Sequence, residues 1–335
     1  MATDKSMSYI VHIDKPVNPL IQNINLDIVG WIARNRSNTF KLTFKVNNVD
    51  YHANICSRPD VEQALNVSAF NNIQATGWHI RIDRDVLYKT SGRAITLNIF
   101  NDDDLVYEKI FCKCASLRLE DDSSPLVFMH IPKTGGTALR QFIDFAFAEW
   151  PVLNIYDDYP GVMGAELNDL SPQFLASREL IFGHFAFGFN ESLTKKAKYF
   201  VVLRDPRSLV NYYINFTTNY DVNLLDNPLV RYISGAYGKV AYVELTEAHL
   251  KRAIENINSQ FYVIQADKLQ SFADEISDLL DLKKMLIPRI NEGKYSTKAV
   301  QLSAPEAITH LDEKLYEYSL RIKQNLKHFL LSTYN

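Results

Sequence analysis

An α/β fold with a parallel sheet flanked by helices, preceded by an all-β unit, is predicted by three features of this chain. Apolar runs of strand length alternate with helix-period segments between residues 126 and 282. Short runs of period-two alternation fill residues 8 to 115. Between them Ser-Leu-Arg-Leu-Glu-Asp-Asp-Ser-Ser, at 116–124, is polar, acidic and aperiodic. The 335 residues suit roughly two domains at about 150 residues each, and 47% apolar with 22% charged residues permits a sizeable core. These observations place the domains at 1–119 and 125–335, with 120–124 as a linker.

In the first part Leu42, Phe44 and Val46 alternate with polar neighbours, as do Ile95, Leu97 and Ile99. Asn47-Asn48, Ser91-Gly92 and the run from Asn101 to Asp104 mark turns. A β-sandwich is the arrangement this pattern predicts. Gly30-Trp31 and Gly77-Trp78 recur, hinting at two related halves. Their indoles are read as core or sheet-edge aromatics, with a sugar-stacking platform as the alternative.

The second part reads as strand 126–131, helix 136–149 ending before Pro151, strands 179–184 and 198–204, helix 206–218, strand 260–265 and helix 271–282. Leu139, Phe142, Ile143 and Phe147 fall on one face of the first of these helices and belong to the core. A final helix opens with the capping box Ser303-x-x-Glu306 and buries Ile308, Leu311, Leu315, Tyr318 and Ile322.

Chemistry concentrates at residues 125–140. An apolar strand carrying Val127, Phe128 and Ile131 breaks at Pro132 into Lys-Thr-Gly-Gly-Thr, which opens a helix. Gly135 and Gly136 let backbone approach a ligand closely, and a new helix aims its first N–H groups at an anion. Lys133 adds a mobile ammonium, and the hydroxyls of Thr134 and Thr137 complete the cradle. In an ATP- or GTP-binding Walker loop the lysine follows the glycines and precedes a Ser/Thr; here the order is reversed. A second strand-to-helix turn lies at Lys198-Tyr-Phe-Val-Val-Leu-Arg204-Asp205-Pro206-Arg207-Ser208, where Arg204 offers a bidentate guanidinium. Two such turns suit a ligand phosphorylated at both ends.

His184, in Leu-Ile-Phe-Gly-His-Phe-Ala-Phe-Gly at 180–188, ends an apolar strand before a Gly-bounded loop. That place is the mouth of a parallel sheet, and imidazole suits removal of a hydroxyl proton near neutral pH. His130 lies within the strand before the loop and is read as a hydrogen-bonding residue that holds it.

The string His130-Ile-Pro-Lys-Thr-Gly-Gly-Thr137 and the Arg204 segment together resemble the sulfotransferases that use 3′-phosphoadenosine 5′-phosphosulfate (PAPS), especially their carbohydrate-type branch. The resemblance implies a sulfotransferase fold for 125–335 and PAPS as donor, with 3′,5′-adenosine bisphosphate as product. It implies a sugar or glycoconjugate acceptor and a reaction without a metal. It also implies Lys133 and His184 as catalytic residues, with Lys133, Thr134, Gly135, Gly136 and Thr137 around the 5′-phosphosulfate and Arg204 on the 3′-phosphate. The family pattern places a serine eight residues after the arginine; this chain has Asn211 at plus seven and Tyr212 at plus eight. Either Asn211 or Ser208 then supplies the phosphate donor. Lys294 and Tyr295, in the loop Asn291-Glu-Gly-Lys-Tyr-Ser296, are candidates for closing over the nucleotide.

Composition bounds the partners. A net charge of −3, with the acidic excess falling after Leu119, argues against nucleic acid and favours a lightly charged acceptor over a long polyanion. No run of 18 apolar residues exists, and Met-Ala-Thr-Asp-Lys-Ser-Met-Ser lacks a signal-peptide core, so no membrane span and a cytoplasmic, bacterial-type location are expected. Cys56, Cys112 and Cys114 lack zinc-ribbon spacing and are read as reduced and structural. Two rivals stay open: an ATP-dependent P-loop kinase, and a non-catalytic glycan-binding protein with a degenerate nucleotide fold.

Overall fold

The computed structural model describes residues 9–16, 20–21, 25–35, 41–67, 73–83, 86–87, 94–114, 125–155, 170–190, 193, 197–216, 225–236, 243–288 and 309–332. The chain divides into two compact units, Met1–Leu119 with Leu279–Leu282, and Glu120–Asp278 with Lys283–Asn335. Among the described residues no helix is long and apolar enough to cross a membrane.

In the first unit the strands are β1 (Ile10–Lys15), β2 (Leu20–Ile21), β3 (Leu26–Asn35), β4 (Leu42–Val46), β5 (Val49–Tyr51), β6 (Asn54–Ser57), β7 (Ile73–Ile82), β8 (Ala94–Asn101) and β9 (Asp104–Lys113). They form two sheets, ordered β1-β3-β7-β6 and β2-β9-β8-β4-β5. Alternation does the work: Ile95, Leu97 and Ile99 are buried while their neighbours are not, and with Phe44, Val46, Phe111, Ile28, Trp78 and Ile80 they make one core drawn from both sheets.

The unit is not purely β. A short helix, α1 (Pro59–Val67), follows β6. Pro59 starts it, Asp60 and Glu62 suit its first turn, and Val61 and Leu65, one turn apart, pack on Ala33, Ile73 and Ala75. The sequence reading passed over it because only two apolar residues mark its buried stripe.

The paired Gly-Trp dipeptides acquire a local explanation. In the antiparallel β3/β7 register Gly30 stands opposite Trp78 and Trp31 opposite Gly77. A methyl on Gly30 would lie 2.6 Å from the Trp78 indole. The Trp78 indole thus lies over the partner strand's glycine and, 1% exposed, belongs to the core, whereas a methyl on Gly77 would meet Cys56 Sγ and the Arg58 side chain.

The second unit opens with β10 (Leu126–Met129) and α2 (Gly136–Ala146), then β11 (Val152–Asn154), α3 (Pro172–Ala176), β12 (Leu180–Gly183), β13 (Lys198–Leu203) and α4 (Pro206–Phe216). It continues with α5 (Pro228–Ser234), α6 (Glu247–Gln260), β14 (Phe261–Gln265), α7 (Leu269–Leu280), α8 (His310–Arg321) and α9 (Leu326–Leu331). All neighbouring strands of its sheet pair in parallel, in the order β11-β12-β10-β13-β14. The first strand is central; β11 takes one edge and β12 fills the place between, after which β13 and β14 extend the other side, so β10 marks the point where the winding reverses. Ligands of open parallel sheets sit beyond the carboxyl ends of the strands flanking such a point.

Every residue of β10, β12 and β13 is buried, as continuous apolar runs demand of strands covered on both faces. Phe128 stacks on Phe200 at 4.5 Å and meets Phe147 and Phe272 edge-on, which roots α2 and α7 on one face of the sheet. The edge strand β14 is closed by an amide: the Gln324 side chain accepts from Val263 N–H (2.8 Å) and donates to Phe261 C=O (2.6 Å).

Two helix starts cap each other. Asn227 Oδ1 accepts from the N–H groups of Leu311 and Asp312 at the head of α8 (2.8 and 3.0 Å). The Asp312 carboxylate accepts in return from Leu229 and Val230 N–H at the head of α5 (2.9 and 2.8 Å). Both side chains are fully buried, so each satisfies donors that water could not reach. Helix α8 is described from His310 behind Thr309; Ser303, Glu306 and Ile308 lie outside the described residues.

Candidate functional site

The turn after β10 is pinned from below. Thr134 is wholly buried and its hydroxyl donates to Ile131 C=O at 2.8 Å. That proton is committed, which leaves the cradle to backbone N–H groups. Lys133 adopts a left-handed φ of 68° and Gly135 one of 114°, a region that glycine enters freely and lysine only at a cost. Gly135 C=O receives Ala138 and Leu139 N–H, and no side chain caps α2. The N–H groups of Gly136 and Thr137 therefore stand at the open, electropositive end of the helix. The nearest atom to a methyl on Gly135 would be Leu269 Cδ2 at 4.0 Å, so the outer side of the turn is open.

The next glycine answers a different need. A methyl on Gly136 would lie 1.9 to 2.1 Å from three ring atoms of His130. That imidazole is 7% exposed and is held between His184, whose ring centroid is 4.4 Å away at 21°, and Phe182 at 5.9 Å. His130 thus supports the loop through its ring, packed under the first residue of α2. Burial, with His184 and Lys133 nearby, holds it well below the usual imidazole range, hence neutral.

His184 follows Gly183, the last residue of β12, and its Nδ1–H donates to His130 C=O at 2.9 Å. With the proton on Nδ1 the lone pair is on Nε2, the tautomer a proton acceptor requires. Burial, opposed by that hydrogen bond and aided by the Lys133 charge, lowers its pKa to about 4. Burial also draws the Lys133 ammonium below its ordinary value.

Arg204 leaves the end of β13 and reaches the same turn: its Nη1–H donates to Lys133 C=O at 3.3 Å. One further side chain joins them. The Lys133 ammonium and the Arg204 guanidinium each lie 5.5 Å from the centroid of the Tyr212 ring, on α4. Two cations, an open helix start and a neutral imidazole thereby converge beyond the ends of β10, β12 and β13, an arrangement suited to an anion bearing more than one phosphate-like group.

Of the residues read from sequence, Lys133, Gly135, Gly136, Thr137, His184 and Arg204 come together here. Ser208 is exposed on the first turn of α4, its N–H donating to Asp205 Oδ1 at 2.8 Å. Asn211 is half-buried one position before Tyr212. Arg207 turns to Glu313 on α8 at 2.7 Å. Lys294 and Tyr295 lie outside the described residues. Tyr212 was missed as a site residue: counting from Arg204 drew attention to hydroxyl and amide donors, whereas the continuous helix from Pro206 carries the ring to the two cations. Among the described residues no group of three or more His, Cys, Asp or Glu is disposed to hold a metal ion.

Compared with protein-family models and with curated proteins, the chain matches none.

Proposed function

We propose that the second unit is a PAPS-dependent sulfotransferase acting on a hydroxyl, with a sugar or glycoconjugate as acceptor. The observation that carries the reading is the meeting of Lys133 and Arg204, from two separate strand-to-helix turns, beside the open start of α2 and the His184 imidazole. The cradle fits a donor with phosphate at both ends: backbone N–H groups of Gly136 and Thr137 for the 5′ side, the Arg204 guanidinium for the 3′ side.

PAPS supplies an activated sulfuryl group. His184 Nε2 takes the proton of the acceptor hydroxyl as its oxygen bonds to sulfur. Lys133 and the α2 N–H groups receive the charge that develops on the bridging oxygen as the sulfur–oxygen bond to the nucleotide breaks. His130 C=O keeps the His184 proton on Nδ1, and the phosphate charge of the donor favours the imidazolium that forms. The depressed pKa keeps the base unprotonated at neutral pH.

Calorimetric titration with 3′,5′-adenosine bisphosphate, in metal-free buffer and with 5′-AMP as comparison, tests this. Micromolar binding with a preference of at least tenfold over AMP is expected. Equal affinity, or none, refutes a site for both phosphates and returns weight to the kinase or glycan-binding readings.

A further inference from the structure

We infer that Tyr212 is the positioning residue that couples the two phosphate-binding halves of this site. The inference rests on the reading above and adds a part of the machinery that the sequence motifs do not contain. Lys133 belongs to the turn after β10 and Arg204 to the end of β13, 71 residues later. Their positive charges repel at short range, and in the absence of an anionic ligand something must hold both where the ligand needs them. Two contacts do so. Arg204 Nη1–H donates to Lys133 C=O, which ties the guanidinium to the backbone of the loop. The Tyr212 ring then attracts both cations through its π face, each at 5.5 Å.

Desolvation strengthens such contacts, and burial already depresses the Lys133 ammonium. Helix α4 supplies the rigidity. Asp205 accepts Ser208 N–H with its side chain and Leu209 N–H with its carbonyl, and Leu209 and Val210 are wholly buried. Tyr212 is therefore carried on an anchored helix, whereas Lys133 and Arg204 sit on turns. The ring, rather than the hydroxyl, is the working part.

The test compares Tyr212→Phe, which keeps the ring, with Tyr212→Leu, which keeps an apolar side chain and removes it. Two cation–ring contacts together set affinity by about 5- to 30-fold. Tyr212→Leu is expected to lose that factor for 3′,5′-adenosine bisphosphate and part of it for 5′-AMP, and Tyr212→Phe to stay within about twofold of the parent, with unchanged thermal midpoints in both. Equal binding by the two variants overturns the inference, as does an equal loss in both.

A second readout needs no nucleotide: the rate at which acetic anhydride acylates Lys133, followed by mass spectrometry of the digested protein. Loss of the ring uncovers the Lys133 amine to the reagent, so Tyr212→Leu should acylate several times faster than Tyr212→Phe; equal rates overturn the coupling. If the parent protein shows no preference for the bisphosphate, the donor reading falls by itself, and the acylation rates still decide the role of Tyr212.

Discussion

Gly136→Ala isolates the packing on which the candidate site depends. The added methyl would start 1.9 to 2.1 Å from three His130 ring atoms, against 3.4 to 4 Å for ordinary contact, so one partner must yield by about 1.5 Å. His130 cannot swing into solvent: it is buried and stacked between Phe182 and His184. The gain in helix propensity from Gly to Ala, about 0.5–1 kcal/mol, is outweighed by an overpacking cost of about 1–3 kcal/mol. A net loss of roughly 1–2 kcal/mol is expected in urea unfolding, together with faster hydrogen exchange in residues 136–146. Displacement of His130 also moves the carbonyl that orients His184, so turnover should fall about a hundredfold if the sulfotransferase reading holds. His130→Ala in the Gly136→Ala background makes room for the methyl and should recover much of the stability, so the two changes are non-additive. Wild-type stability in Gly136→Ala, or additive losses in the pair, would refute this account of why the second glycine is there.

Three further outcomes follow from the same geometry. On the sulfotransferase reading Lys133→Ala and Lys133→Gly should both lose about 10²–10³-fold in turnover, yet Lys133→Gly should be the more stable by roughly 1 kcal/mol in denaturant titration, because only glycine relieves the left-handed φ. His184 binds its proton at about 4 in the folded protein against an ordinary 6.5; the unfolded chain takes up that proton first, so the His184 contribution to stability is full above pH 6.5 and is lost as pH falls towards 4, by roughly 3 kcal/mol at most. His130 adds in the same direction, and the slope between pH 7 and 5 should shrink in His184→Asn. Asp312→Asn leaves one carbonyl oxygen for two buried N–H donors and should cost about 1–3 kcal/mol, whereas a loss below about 0.5 kcal/mol would show that the pair contributes little.

The parallel-sheet half was legible where burial makes a strand continuous. Leu126–Met129, Leu180–Gly183, Lys198–Leu203 and Phe261–Gln265 are apolar runs bounded by turn chemistry, and the helices after the first and third follow directly from them. Strand β11 escaped because three residues after Pro151 carry no period of their own; it exists through pairing with β12. Helix α6 escaped for the opposite reason: its buried stripe is only Leu250, Ala253 and Ile257 on a polar cylinder. A signal was there in Thr246 and His249, whose Nδ1 accepts Thr246 N–H at 3.1 Å, but histidine at that place is not the glutamate a capping box leads one to seek. Within the site, the residues on the two turns could be named from local motif, while Tyr212 could not, since its role depends on three-dimensional phase. The Gly-Trp dipeptides mark the same limit: a recurrence that reads as duplication along the chain becomes, in the β3/β7 register, a cross-strand pairing in which Gly30 makes room for the Trp78 indole.

The exchange of caps between Asn227 and Asp312 bears on how the second unit comes into being. The head of α5 leaves the ribosome well before its acceptor, which lies more than 80 residues downstream. Until Asp312 has left the ribosome, Leu229 and Val230 have no buried partner and are better served by water. The last third of the second unit is thus a precondition for closing a helix near that unit's middle, and the unit completes late and together, not segment by segment from its amino end. Arg207 extends this dependence to α4 through Glu313, so the helix that bears Tyr212 receives part of its support only when the chain is nearly finished.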